Sequence, residues 1–118
     1  MKTIKVTTDN TVSVIDVDFD DFRAIQKEVG GYFETVKTKK MFDYFQEPIM
    51  MIVNEEGHIE QLPYNKLGSY FYDTDYHGCP IVGDLILAVP SAEDILGLEN
   101  AELVKEKLLN SFDYLIEE

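Results

Sequence analysis

Hydrophobic residues recur along this chain with two different periods, and the switches between them mark out its elements. From Lys2 to Thr7, Ile4 and Val6 fall on one side of an alternating segment, the period of a strand. Asp9 and Asn10 supply turn residues, and Val12 to Val17 alternates again, so the two segments predict a β-hairpin. Asp18-Phe19-Asp20-Asp21-Phe22 then reads as a helix start. Asp18 can accept from free amides there, and Asp20 and Asp21 face the positive end of the helix dipole. Phe19, Phe22, Ile25 and Val29 make a helical stripe that Gly30-Gly31 ends. Local structure accounts for this acidic run, with no ligand required.

Alternation returns from Tyr32 to Thr38 and predicts a third strand. Lys39 to Glu47 follows neither period and reads as a loop or irregular excursion. Ile49 to Asn54 is a continuous apolar run of buried-strand type, Asn54-Glu55-Glu56-Gly57 a tight turn, and His58 to Leu62 a returning strand. Pro63 suits the first position of a helix running from Tyr64 to about Tyr72, with Leu67, Tyr70 and Phe71 inward. Ile81 to Val89 is a last strand, in which Gly83 marks a bulge or close approach. Ser91-Ala92-Glu93-Asp94 reads as a further helix start.

The final segment, from about Glu99 to Ile116, carries helical periodicity. At about 100° per residue, Ala101, Val104, Leu108, Leu109, Phe112, Leu115 and Ile116 share one arc of roughly 140°. Glu99, Glu102, Glu106, Asn110, Asp113 and Glu117 share another of about 80° on the far side. This predicts an amphipathic helix with one acidic ridge, in which Lys105 must snorkel from the apolar side. Strands and helices without regular βαβ alternation give the fold class α+β. The expected architecture is a mostly antiparallel sheet of about five strands, with helices packed on one face and an amphipathic C-terminal helix. With 118 residues, no internal repeat and no linker-like stretch, one domain over 1–118 is expected.

Charge changes the picture more than length does. Ten Lys+Arg against 23 Asp+Glu give a net charge of −13. Residues 1–59 hold seven basic and eleven acidic groups, residues 60–118 three and twelve, so the acid excess concentrates in the second half. Such a field repels phosphate backbones, so direct nucleic-acid binding is not expected and a basic protein partner is. The one basic cluster, Lys37, Lys39 and Lys40, reads as a solvated turn. No apolar run approaches a membrane span, the N-terminal pattern is not that of a signal peptide, and a single cysteine, Cys79, suits a reducing compartment. A cytoplasmic protein without membrane association is expected.

Catalytic chemistry finds little support. Asp73, Asp75, His77 and Cys79 recur at every second position and would share one side of an extended segment. Two hard oxygen ligands combine poorly with one thiolate, however, and Gly78 and Pro80 favour a loop. No metal or other cofactor is therefore expected. A His77–Cys79 nucleophile pair would need a base or positive field that the surrounding acids do not provide. An enzyme is the least expected class. The ridge carboxylates, one per roughly 5–7 Å of axis, are sparser than the one charge per about 3.4 Å of a DNA strand. A nucleic-acid mimic would need further acids, such as Glu93 and Asp94, aligned with them.

Glu28-Val-Gly-Gly-Tyr-Phe-Glu-Thr-Val36, Ile52-Val-Asn-Glu-Glu-Gly57, Leu62-Pro63-Tyr64-Asn65 and Ile81-Val-Gly-Asp-Leu-Ile-Leu-Ala-Val89 occur in an order and spacing that resembles a known family. This is domain of unknown function 3846, found in bacteria, phages and mobile elements. The similarity runs from the first strand to about residue 105, and the chain departs from it at Met41–Pro48 and in its long last helix. The family has no assigned activity. The resemblance implies an accessory role on a phage or other mobile element, and with it a non-catalytic interaction module. A protein that binds or sequesters a nucleotide or metabolite is the alternative. The motif residues Asn54 and Asn65, with Tyr32 and Glu34, would then line a ligand groove. Equally, Asn54 holds its turn and Asn65 caps helical amides. A homodimer is conceivable if the first hairpin lies at the sheet margin.

Overall fold

The predicted hairpin forms in this computed structural model, which describes residues 1–118. Strands β1 (Lys2–Val6) and β2 (Thr11–Asp16) pair antiparallel from Lys2↔Asp16 to Val6↔Val12. Helix α1 (Phe22–Val29) follows, then β3 (Phe33–Val36), α2 (Lys39–Phe45), β4 (Met50–Asn54), α3 (Lys66–Tyr72) and the single turn α4 (Thr74–His77). The chain ends with β5 (Leu85–Ser91), β6 (Asp94–Leu96), α5 (Ala101–Ser111) and β7 (Ile116–Glu117). The strands make one seven-stranded sheet, ordered β3-β4-β5-β1-β2-β7 with β6 hairpinned onto β5. Every pairing is antiparallel except β2 with β7. The α+β class is as expected, with seven strands rather than five.

Helices cover both faces of the sheet, not one. Successive residues of β4 point to opposite sides, as a strand requires. Met50 and Ile52 pack with Ile86, Ala88 and the Ile25 and Val29 stripe of α1. Met51 and Val53 pack on the other side with Met41 and Phe45 of α2, Leu67 and Phe71 of α3, and Leu108 of α5. β4 and β5 are apolar on both faces for this reason.

Several local readings are corrected. Asp21, not Asp18, caps α1, accepting from the Arg23 amide at 2.9 Å, while Asp18 holds the preceding turn through the Asp20 amide. Phe22 is exposed, so the apolar stripe starts at Phe19 and resumes at Ile25. Lys39–Phe45 is a helix capped by Thr38, burying only Met41 and Phe45. His58–Leu62 forms consecutive turns rather than a strand, with the Glu60 amide bonding the Glu56 carbonyl and that of Leu62 the Gly57 carbonyl. α3 begins at Lys66, because Asn65 rather than Pro63 sets its start. Ser91-Ala92-Glu93-Asp94 is a two-residue hairpin turn with Ser91 opposite Asp94 and Ala92 at positive φ.

The last helix is shorter than its periodicity suggests. It ends at Ser111, and Phe112 is already extended. Asn110, Ser111 and Asp113 are weak helix formers. Burying Leu115 and pairing Ile116–Glu117 beside β2 offers the chain an alternative to further helix. The Ile116 and Glu118 amides donate to the Asn10 and Val12 carbonyls at 2.8 and 3.2 Å. β7 therefore covers part of the hairpin's outer edge, and β3 stands at the opposite margin of the sheet. No helix is long and apolar enough to cross a membrane.

Candidate functional site

Two concavities lie at opposite ends of the central strands β4, β5 and β1. The motif residues gather at the end where β4 finishes and β5 begins. Asn65 is fully buried there, with every polar atom of its side chain engaged. Its amide donates to the Val6 and Gly83 carbonyls, both at 3.0 Å, and its oxygen accepts from the Gly68 amide at 2.9 Å. Asn54 is also buried. Its amide donates to the Val29 carbonyl at 3.3 Å and to Glu60 Oε1 at 2.9 Å, and its oxygen accepts from the Glu56 amide at 2.8 Å. Both asparagines thus hold backbone in place: Asn54 fixes its turn, and Asn65 caps α3.

Asn54 and Glu60 separate two shallow lobes of a polar groove. One lobe, about 280 Å³, is bordered by Lys27, Thr8, Asp84 and the Lys5–Glu28 ion pair at 3.1 Å. The other, about 370 Å³, is bordered by Gln26, Tyr32 and Glu56. Glu34 lies around the corner in a dent of only about 40 Å³, and Asn65 sits beneath the surface rather than in any lobe. Gly30, at φ +87°, turns the chain out of α1, and a Cβ on Gly31 would come within 3.3 Å of Asn54 Nδ2. The glycine pair therefore lets the α1 end lie close against Asn54.

The opposite end is apolar. A cavity of about 730 Å³ opens among Met1, Ile49, Val89, Leu96, Leu98 and Leu103, with Glu47 and Glu99 as its charged lining residues. It adjoins a second hollow of about 410 Å³ along α5, with which it shares Glu47, Leu103 and Val104. Glu106 and Lys107 border that hollow, and the Lys107 ammonium is already committed to the Tyr44 carbonyl at 2.6 Å and lies over the Tyr44 ring. Together they form a groove beside α5 with an apolar floor and a rim of three carboxylates. Leu103 and Leu96 are exposed in it. Both were missed in the sequence because Leu103 falls outside the apolar arc of α5 and Leu96 lay in a segment read as helical.

The acidic ridge does not run along one helix. Glu99 precedes α5, Glu102 and Glu106 lie on it, and Asp113 and Glu117 follow its end. Glu117 and Glu102 both approach Lys105 Nζ, at 2.9 and 3.5 Å. Lys105 is accordingly held above its usual pKa, first by its hydrogen bond to Glu117.

Asp73, Asp75, His77 and Cys79 do not converge. Asp73 lies 3.7 Å from Lys40 Nζ, and the His77 ring stacks on Tyr72. No group of three or more His, Cys, Asp or Glu side chains is placed to hold a metal ion. The histidine beside Cys79 is His58, with Nε2 3.9 Å from Sγ and 2.9 Å from the Pro80 carbonyl oxygen. A carbonyl only accepts, so Nε2 carries the proton and has no lone pair to offer the thiol. This pair does not form a nucleophile and base as placed.

The model of one protein family, described as Domain of unknown function (DUF3846), matches residues 1–110. The match runs through Met41–Pro48 and most of α5, further than the motifs alone reached. No curated protein and no solved structure matches the chain.

Proposed function

We propose that this chain, which belongs to the DUF3846 family, is a non-catalytic interaction module that holds a basic protein partner in the groove beside α5. The observation that carries this reading is the groove itself. Its floor is apolar, Leu103 stands 60% exposed within it, and Glu47, Glu99 and Glu106 are its uncommitted charges. A concave apolar floor bordered by a few polar groups is the usual form of a binding site. A partner segment with apolar side chains flanked by lysines or arginines matches it in shape and charge. The net charge of −13 speeds encounter with such a segment and disfavours acidic competitors.

A cytoplasmic setting and an accessory role on a phage or other mobile element belong to the same proposal. They rest on the single unpaired cysteine and on the family resemblance. An acidic nucleic-acid mimic has less support, because Glu102 and Glu117 share one lysine and Glu99, Asp113 and Glu117 lie outside the helix that carries Glu102 and Glu106.

The test is capture of partners from a bacterial lysate by wild-type chain and by Leu103→Asp, at low and high salt. The expected result is one or more basic proteins retained at low salt, released by salt and lost with Leu103→Asp. Retention unaffected by Leu103→Asp would place the interface elsewhere. Absence of any basic protein above background would overturn the reading.

A further inference from the structure

β3 ends the sheet with one side bonded to β4 and the other open. The Glu55 amide donates to the Tyr32 carbonyl at 2.8 Å, so these two residues form a hydrogen-bonded pair of the β3–β4 ladder. In an antiparallel ladder such pairs alternate with pairs whose backbone groups point away from each other. The register from Phe33↔Asn54 to Val36↔Met51 therefore turns Glu34 and Val36 toward β4, and the N–H and C=O of Phe33 and Thr35 outward. No backbone group of a turn or loop bonds to these, nor to those of Lys37. β3 contains no proline and pairs with β4 without a bulge, two devices that block edges elsewhere. Ile25 and Val29 hold α1 over β4 and β5, while Phe22, 65% exposed, sets its ring edge-on to Phe33 at 5.9 Å.

We propose that this edge pairs with the same edge of a second copy, β3 against β3 about a two-fold axis at Thr35, joining the two sheets into one. A two-fold axis normal to the sheet makes the strands antiparallel and sets outward-facing residues against each other. Centring the pair on Glu34 would place two carboxylates directly opposite, which is repulsive. Centring it on Val36 would place Phe33 opposite Lys39, already the first residue of α2, and shorten the ladder. Centring it on Thr35 places Thr35 opposite itself, Glu34 opposite Val36 and Phe33 opposite Lys37. No like charges then meet. Lys37, which makes no ion pair within the chain, reaches the rings of Phe33 and Phe22 in the other copy. The edge is thus complementary to itself, which selects a second copy over a strand of another protein.

The test is sedimentation equilibrium of the full chain at low and high salt, together with oxidative cross-linking of single-cysteine variants. A dimer is expected that salt tightens, because each copy carries −13. Partner binding in the α5 groove responds to salt in the opposite sense. Thr35→Pro removes an outward N–H without removing a bond to β4, and should weaken the dimer at least about tenfold. Leu103→Asp, in the other groove, should leave it unchanged. In a Cys79→Ser background, Thr35→Cys should oxidise to a covalent dimer, since residues opposite in a hydrogen-bonded pair stand about 5.5 Å apart at Cα, within disulfide reach. Glu34→Cys should cross-link far more slowly, because its two copies lie diagonally, about 7–8 Å apart. The cysteine variants ask no new backbone conformation, so they decide the matter even where Thr35→Pro disturbs the fold. A chain that stays monomeric up to about 1 mM at high salt would overturn the proposal. So would a dimer that salt weakens, that Thr35→Pro leaves intact, that Leu103→Asp abolishes, or that cross-links as readily through Glu34→Cys as through Thr35→Cys.

Discussion

The side-chain amide of Asn65 donates to the Gly83 carbonyl at 3.0 Å and ties the start of α3 to the approach of β5. Its second proton goes to Val6 at the end of β1, so one side chain joins three elements. Asn65→Ala would remove the helix cap and leave two buried carbonyls without their donor. A cap is worth about 1 kcal/mol and each of the two orphaned buried carbonyls about 1–3 kcal/mol, so a loss of about 3 kcal/mol or more is expected. Urea unfolding measures it. A loss below about 1 kcal/mol would mean that water replaces the amide.

Gly68 illustrates packing against propensity. Alanine in a helix interior is favoured over glycine by about 1 kcal/mol. A Cβ at Gly68, however, would stand 2.7 Å from Leu85 Cδ2 and 2.9 Å from Ile81 Cγ2, both buried core atoms. Overpacking costs about 1–3 kcal/mol, so Gly68→Ala is expected to be neutral to destabilising despite the better propensity. A raised thermal midpoint would show that Leu85 and Ile81 give way.

Alkaline pH should weaken the fold. Burial raises the Tyr44 and Tyr114 phenols above their usual 10.0, and the Glu117 hydrogen bond raises Lys105 above 10.5. In each case the folded chain holds the proton more tightly than the unfolded chain does. The stability these groups add is complete below about pH 10 and lost as pH rises through the folded-state values. Urea midpoints measured from neutral to strongly alkaline pH should fall only beyond that point. Tyrosinate absorbance should show a late-titrating class that merges with the early one in urea.

Leu103→Asp should leave stability nearly unchanged, because a 60%-exposed side chain contributes little to the core. A shift within about 0.5 kcal/mol is expected by thermal unfolding. A larger loss would make Leu103 a structural residue and remove its value as a probe of the groove.

Strong periodicity made some elements legible, and shared local chemistry hid others. β1, β2 and β4 could be read because alternation or an unbroken apolar run admits few other states. The Ser91–Asp94 hairpin turn was misread because serine three residues before an aspartate suits a helix cap and a turn equally. α2 was unreadable because only Met41 and Phe45 are buried while Phe42 is exposed, which blurs the helical stripe. The end of α5 was misplaced because Leu115 is buried whether the chain continues as helix or reverses. The structural roles of Asn54 and Asn65 could be anticipated from turn and cap preference. Neither groove could, since each is assembled from the ends of elements far apart in the chain.

β7 closes part of an edge that the rest of the sheet leaves open, on a tail that Leu115 anchors in the core. The matched region stops at residue 110, whereas the strand beside β2 is Ile116–Glu117. A chain shortened to 110 would retain the residues of both grooves yet expose backbone that now bonds to Ile116 and Glu118. Bare edges of this kind recruit strands from other molecules. The tail after α5 thus occupies backbone groups of β2 that would otherwise stand open at the margin of the sheet.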